Sequence, residues 1–373
     1  MLQNKDNPSN LHQASKQSVV IEMTTLEQDD RPVYICGNFN NWQVDDPAYQ
    51  LKKIDKGQYR LELQTDTSYP IEYQYIRGGW SNAELTVDGK RPANRMLSQY
   101  RPVVKDYVPL WLKNGKVYQE QYLPKIQIIE ADFDIPSQIK TRRISALLPH
   151  DYDETQRAYP VLYLQDGQNL FDDYAPFGNW AVDKKLAMLT ERGMGNVIVI
   201  AIDHAAEQRI AEFTPSHETK LGVGNGKQYL QFLAKTLKPY VDQHFRTLPD
   251  REHTGIGGSS MGGLISIYAG IIHPEIYGKL MIFSPSLWVA PNIHFHAIQF
   301  KASYDTRIYL YGGGREGANM IPNIRRFKKA LYQRGADETK YSFQLSIDPE
   351  GQHNEARWGT EFPHAIAWLY FKA

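Results

Sequence analysis

The chain has 373 residues, 42 of them Lys or Arg and 42 Asp or Glu, so its formal net charge is zero. That balance leaves no electrostatic excess to draw it to nucleic acid or a membrane surface, and no apolar run approaches the length of a transmembrane helix. A single cysteine, Cys36, excludes an intrachain disulfide and a multi-cysteine metal site.

The length accommodates one large domain and a smaller one. Residues 1–17 are polar and unpatterned and are expected to form a disordered lead-in. They hold no apolar stretch of the secretory kind, so a cytoplasmic location is expected. From 18 to 108 the text is strand-like, with short β-rich runs at 19–23, 33–36, 59–63 and 71–76. Gly37-Asn38, Asp55-Lys56-Gly57 and Asp88-Gly89 punctuate these runs as turns. The pattern predicts a small all-β sandwich. Residues 109–124, which include Asn114-Gly115, read as a linker.

The second domain is expected over 125–373, opening on strands at 125–130 and 143–148. There the grammar changes to strands alternating with helices. The runs at 161–164 and 197–202 are continuously apolar, as strands covered on both faces are. Tyr229, Phe232, Leu233, Leu237, Val241 and Phe245 recur at helical spacing, with Pro239 placed to kink or restart that helix. Ile324, Phe327 and Leu331 mark a later helix, capped by Gly335. The alternation predicts an α/β, doubly wound, mostly parallel sheet with helices on both faces.

The strongest local signal is Gly257-Gly258-Ser259-Ser260-Met261-Gly262-Gly263. It contains Gly258-x-Ser260-x-Gly262, the nucleophile-elbow pattern of α/β-hydrolases. A chain that turns sharply from strand into helix has room only for small residues beside the serine. Residues 253–256 suit the strand before the turn and 264–269 the helix after it, whose N-terminus favours a nearby oxyanion.

A serine hydroxyl needs a general base, and in this fold the chain order is serine, acid, histidine. His273, His294, His296, His353 and His364 follow Ser260. His353 occupies a polar loop beyond the strand at 341–345, where the base belongs; His364 falls in the final helix. His294-Phe295-His296 has no carboxylate or cysteine nearby and reads as a surface loop. The loop after the strand at 307–311 offers Glu316 as its only carboxylate, with Glu355 as the rival acid. The oxyanion donors expected are the N–H groups of Met261 and of Gln168, in the loop after 161–164. Asp166 in that loop reads as a brace. Arg209 and Glu212 either border the substrate pocket or brace each other. No metal and no cofactor is expected.

With these residues in place, positions 121–373 resemble the putative-esterase family, which includes esterase D, enterochelin and feruloyl esterases and mycolyltransferases. The likeness rests on Tyr159 to Phe171, on Gly258-Ser259-Ser260-Met261-Gly262-Gly263, on Ser284-Pro285-Ser286-Leu287-Trp288 and on His353-Asn354-Glu355-Ala356-x-Trp358. The resemblance implies ester cleavage by Ser260, His353 and an acid after the preceding strand. Tyr309 to Gly314 departs from the family's Leu-Asp-x-Gly wording at that acid. Trp288 is carried as a substrate-binding candidate. The amino-terminal part resembles immunoglobulin-like glycogen- or starch-binding modules through 33–42, 71–75 and Arg77-Gly78-Gly79-Trp80. There Trp42 and Trp80 either stack on sugar rings or pack the sandwich.

The expected function is serine-dependent hydrolysis of a carbohydrate-linked or siderophore-type ester. Acyl transfer to a sugar hydroxyl and a non-catalytic carbohydrate-binding protein are the alternatives. The expected partner is a small-molecule or carbohydrate ester, not nucleic acid or membrane.

Overall fold

Period-two alternation of apolar residues governs the first part of the chain. In the computed structural model the residues described are 17–25, 30–65, 69–129, 133, 139–140, 142–293, 305–333 and 341–371. They fall into two units, Met1–Val117 and Tyr118–Ala373. Among the described residues, no helix is long and apolar enough to cross a membrane.

The first unit contains β1 (Gln17–Thr25), β2 (Val33–Gly37), β3 (Gln50–Asp55), β4 (Gln58–Thr65), β5 (Ile71–Ile76), β6 (Glu84–Leu85), β7 (Arg95–Leu97), β8 (Val103–Val108) and β9 (Leu110–Trp111). Seven of them pair in the order β7-β5-β2-β3-β4-β1-β8, antiparallel except for the parallel pair of β1 and β8. Val19, Ile21 and Met23 on β1 share one core with Ile71, Tyr73 and Tyr75 on β5. This is the all-β, immunoglobulin-like sandwich that the alternation implies. The lead-in at 1–16 lies outside the described residues.

The linker expected at 109–124 is corrected in its first half, which belongs to the sandwich. Leu110, Trp111 and Leu112 are buried, and β9 pairs with β6. The Trp111 indole donates to Thr25 Oγ1 at 3.1 Å and lies 4.5 Å under the Arg77 guanidinium. A fully desolvated indole with its N–H satisfied holds a segment to its core.

The second unit contains β10 (Lys125–Ile128), β11 (Ile144–Leu148), β12 (Val161–Gln165), β13 (Ile198–Ile202), β14 (Thr254–Ser259), β15 (Lys279–Phe283), β16 (Thr306–Gly313) and β17 (Tyr341–Asp348). Their order is β10-β11-β13-β12-β14-β15-β16-β17. Pairing is parallel from β13 to β17 and antiparallel at β10–β11 and β11–β13. Around the sheet run α1 (Val182–Glu191), α2 (Arg209–Phe213), α3 (Gly226–Phe232), α4 (Lys238–His244), α5 (Met261–Ile272), α6 (Met320–Gln333) and α7 (Glu355–Tyr370). Every residue of β11 to β14 is buried, the reason their sequences do not alternate.

The single helix expected near 227–245 is α3 and α4 joined by a π-helical turn, Leu233–Leu237. Pro239 has no N–H to offer the preceding turn and its ring crowds a carbonyl there. One wider turn upstream absorbs both effects, so the helix runs on instead of breaking. Ile324, Phe327 and Leu331 pack on α6 as their spacing predicts. Gly335, His294 and His296 lie outside the described residues. After β12 the chain adds β13 on one side and β14 on the other, so a crevice opens at the C-terminal end of β12. Ligands of doubly wound sheets gather at such a point.

Candidate active site

Two loops meet at that crevice, and small residues let them meet. Ser260 joins β14 to α5 with φ +56° and ψ −120°, a left-handed region that is strained for a residue with a Cβ. Its backbone is held on three sides. The N–H donates to Phe283 O at 3.0 Å, and the carbonyl accepts from Ser286 N at 3.0 Å and Leu264 N at 3.1 Å. A Cβ at Gly258 would come within 2.9 Å of the Gly262 carbonyl carbon, and one at Gly262 within 3.0 Å of Gln165 Cβ. These glycines are therefore required by contact with the β12 loop and with each other.

Ser260 Oγ lies 3.0 Å from His353 Nε2, and His353 Nδ1 lies 2.7 Å from Glu316 Oε2. The carboxylate of Glu316 is wholly buried while the imidazole is part-exposed. Glu316 Oε1 accepts from Gly313 N at 2.7 Å and from Ser284 Oγ at 2.7 Å. An ionised carboxylate facing Nδ1 fixes the imidazole with its proton on Nδ1, leaving Nε2 free to accept from the serine hydroxyl. The three residues predicted from loop order are thus brought into one hydrogen-bonded series.

The rival acid is elsewhere. Glu355 stands at the first turn of α7 and receives Asn169 Nδ2 at 3.4 Å. Burial raises its pKa, and the nearby Asp166 charge adds to the rise. Among the other histidines, His364 lies on α7 and His273 caps the end of α5, 3.3 Å from Glu275.

Met261 is the first residue of α5, where a backbone N–H has no partner within the helix. Across the crevice, Asp166 adopts φ +59° and turns the chain into Gly167–Asn169. A Cβ at Gly167 would sit 2.7 Å from Asp203 Oδ1. The Gln168 side chain accepts from His204 N at 3.0 Å, which fastens this loop to the end of β13.

Of the two readings of Arg209 and Glu212, pocket border or mutual brace, the mutual brace is corrected for both and the pocket border for Glu212. Arg209 forks onto Asp166, with Nε at 2.6 Å from Oδ1 and Nη2 at 2.8 Å from Oδ2. It therefore braces the β12 loop through the residue read as a brace. Glu212 is fully buried and pairs with Arg142 at 2.7 Å, also accepting from Lys140 N at 3.0 Å. With its oxygens engaged inside the protein, Glu212 is no pocket wall. Trp288 is half-exposed, two residues beyond Ser286, whose Oγ lies 3.3 Å from Ser260 Oγ. The loop-order argument did not find Ser284, Ser286 or Gly313, because a serine or glycine beside a strand carries no mark of the distant group it will touch. Among the described residues, no group of three or more His, Cys, Asp or Glu is arranged to hold a metal.

Residues 138–369 match a family model described as Putative esterase. The iron(III) salmochelin esterase of Escherichia coli O6:H1 is 27% identical over 326 residues, covering 82% of this chain and 69% of that protein. An alpha-amylase of Niallia circulans is 36% identical over 67 residues, 18% of this chain and 5% of that protein. The crystal structure of the enterobactin esterase from Shigella flexneri aligns with a TM-score of 0.50 and 17% identity, covering 95% of this chain and 93% of that one. At that identity the likeness is one of fold.

Proposed function

The chain belongs to the putative-esterase family, and we propose that within it the chain hydrolyses carboxylic esters through an acyl-enzyme formed on Ser260. The observation that carries this reading is the unbroken series from Ser260 Oγ through His353 to the buried Glu316. Ser260 Oγ attacks the ester carbonyl carbon and gives its proton to His353 Nε2. Glu316 stabilises the imidazolium that results. The N–H groups of Met261 and Gln168 receive the oxyanion, the former with the helix dipole behind it. Collapse expels the alcohol, which takes the proton from Nε2. A water then attacks the acyl carbon and passes its proton to the same nitrogen; collapse breaks the bond to Ser260 Oγ, which takes that proton back, and the acid leaves.

The substrate proposed is a siderophore-type or carbohydrate-linked ester, the first supported by similarity to an iron(III) salmochelin esterase, with Trp288 at the rim of its pocket. The test is Ser260→Ala. It should abolish turnover of a p-nitrophenyl ester and labelling by a fluorophosphonate while circular dichroism stays unchanged. Activity equal to the parent's would refute the proposal. A panel containing a catecholate siderophore lactone and a feruloylated sugar then sorts the substrate.

The first unit supports a second, separate reading, a carbohydrate-binding surface. Trp42 and Trp80 lie with ring centroids 6.3 Å apart and tilted by 36°, with Trp80 part-exposed. Asp45 Oδ1 accepts from Gly79 N at 3.0 Å and ties their two loops together. Adjacent indoles that are at least partly exposed suit the apolar faces of sugar rings. Amylopectin in a native gel should retard the protein, and Trp80→Ala should lose the retardation; equal retardation of both would refute this role.

A further inference from the structure

The acid and base of the proposed reaction are joined by a second route, through Ser284 and Trp358. Ser284 is fully buried in the turn after β15. Its backbone has φ +45°, and its N–H donates to Tyr311 O at 2.8 Å. A side chain costs energy in that left-handed region, which glycine would occupy freely. What the side chain contributes there is its hydroxyl. Ser284 Oγ donates to Glu316 Oε1 at 2.7 Å and accepts from Trp358 Nε1 at 2.9 Å.

The direction of these bonds is forced. An indole N–H can only donate, so the Ser284 oxygen must accept from Trp358. Its one proton is then left for Glu316. Gly313 N supplies a second donor to the same oxygen at 2.7 Å. With Oε1 doubly engaged, Oε2 is the oxygen presented to His353 Nδ1 at 2.7 Å. Trp358 also meets His353 directly, ring edge to face, with centroids 4.8 Å apart and planes at 84°. One indole thus touches the base by its ring and orients the acid by its nitrogen.

We propose that Ser284 and Trp358 are positioning residues for ester hydrolysis, with Trp358 aiming the Ser284 hydroxyl so that Glu316 is locked in the orientation that sets the His353 tautomer. The inference rests on the serine-hydrolase reading above. Its signature is dependence on Glu316, since Ser284 touches the acid and Trp358 reaches it through Ser284.

The experiment uses the full chain and p-nitrophenyl acetate, with kcat and KM measured in two backgrounds. In the parent, Ser284→Ala should lower kcat by roughly 10- to 100-fold, the loss of one donor to a buried charge, with little change in KM. In a Glu316→Ala background the same change should move kcat by less than about twofold, because the group it acts through is gone. Trp358→Phe keeps an aromatic ring but removes the N–H, and it should show the same dependence at smaller amplitude. It decides the matter if Ser284→Ala does not fold. Equal losses in the two backgrounds, or no loss in either, would overturn the inference. Absence of Ser260-dependent turnover in the parent overturns the hydrolase reading and this inference with it. Normal Ser260-dependent turnover with Ser284→Ala and Trp358→Phe unchanged removes this inference alone.

Discussion

Replacing Glu316 by glutamine keeps the shape of a wholly buried side chain and removes its charge. The surroundings dictate how the amide must sit. Gly313 N and Ser284 Oγ both point donors at the Oε1 position, so the amide oxygen takes that place. The NH2 group then falls at the Oε2 position, 2.7 Å from His353 Nδ1. Two donors cannot face each other there, and the imidazole shifts its proton to Nε2, 3.0 Å from Ser260 Oγ. A protonated Nε2 cannot receive the serine proton. The expected loss is about 10⁴-fold in kcat, near 5.5 kcal/mol of barrier, as for other triads locked in the wrong tautomer. The assay is p-nitrophenyl acetate turnover with thermal unfolding measured alongside. Glu355→Gln is the control and should keep most of the activity. If Glu316→Gln retains more than about a tenth of the parent kcat while Glu355→Gln loses more, the acid has been assigned to the wrong carboxylate.

Three further outcomes test the architecture around the site. Gly262→Ala places a Cβ 3.0 Å from Gln165 Cβ and 3.1 Å from Asp166 Oδ2, and should cost about 1–3 kcal/mol by overpacking; denaturant unfolding that matches the parent would contradict the close approach. Glu212→Ala strands the buried Arg142 guanidinium and should cost about 3–5 kcal/mol, whereas Glu212→Met combined with Arg142→Leu should cost less; a double variant worse than the single would refute the ion-pair account. Lys279 lies beside Arg307 of the neighbouring strand, and burial, with that like charge, pulls its pKa from the ordinary 10.5 down to about 8. Between those values the unfolded chain holds the proton that the folded chain has released, so this lysine makes stability rise with pH across the window. Lys279→Met should therefore raise the melting temperature at pH 7, with the advantage shrinking as pH rises from about 8 toward 10.5; a constant difference across that range would refute the assignment.

Some of the site could be read without coordinates because its demands are local. The turn at Ser260 needs small neighbours within two residues on either side, so Gly258 and Gly262 announce it. The strands β12 and β13 are buried on both faces, so their apolar runs announce them. Chain order pointed to His353 and Glu316, since each follows a strand whose end must lie at the same edge of the sheet. The π-turn before Pro239 was half legible: the proline marked the disturbance but not how the helix absorbed it.

The pairings were not legible. Arg209 lies three residues from Glu212, and a mutual brace was one of two readings of the pair. The fold instead carries Arg209 to Asp166, 43 positions away, and Glu212 to Arg142, 70 positions away. Ser284 and Trp358 are 74 positions apart, and neither carries a mark of the other. Trp111 looked like part of a linker until its indole met Thr25, 86 positions back.

What the sequence by itself determined is therefore the set of elements and the strained turn that holds Ser260, because backbone sterics and burial act over a few adjacent residues. Which buried charge answers which, and which hydroxyl reaches Glu316, only the tertiary structure decided. Those partners are chosen by strand order and loop closure, which bring together groups that the chain keeps far apart.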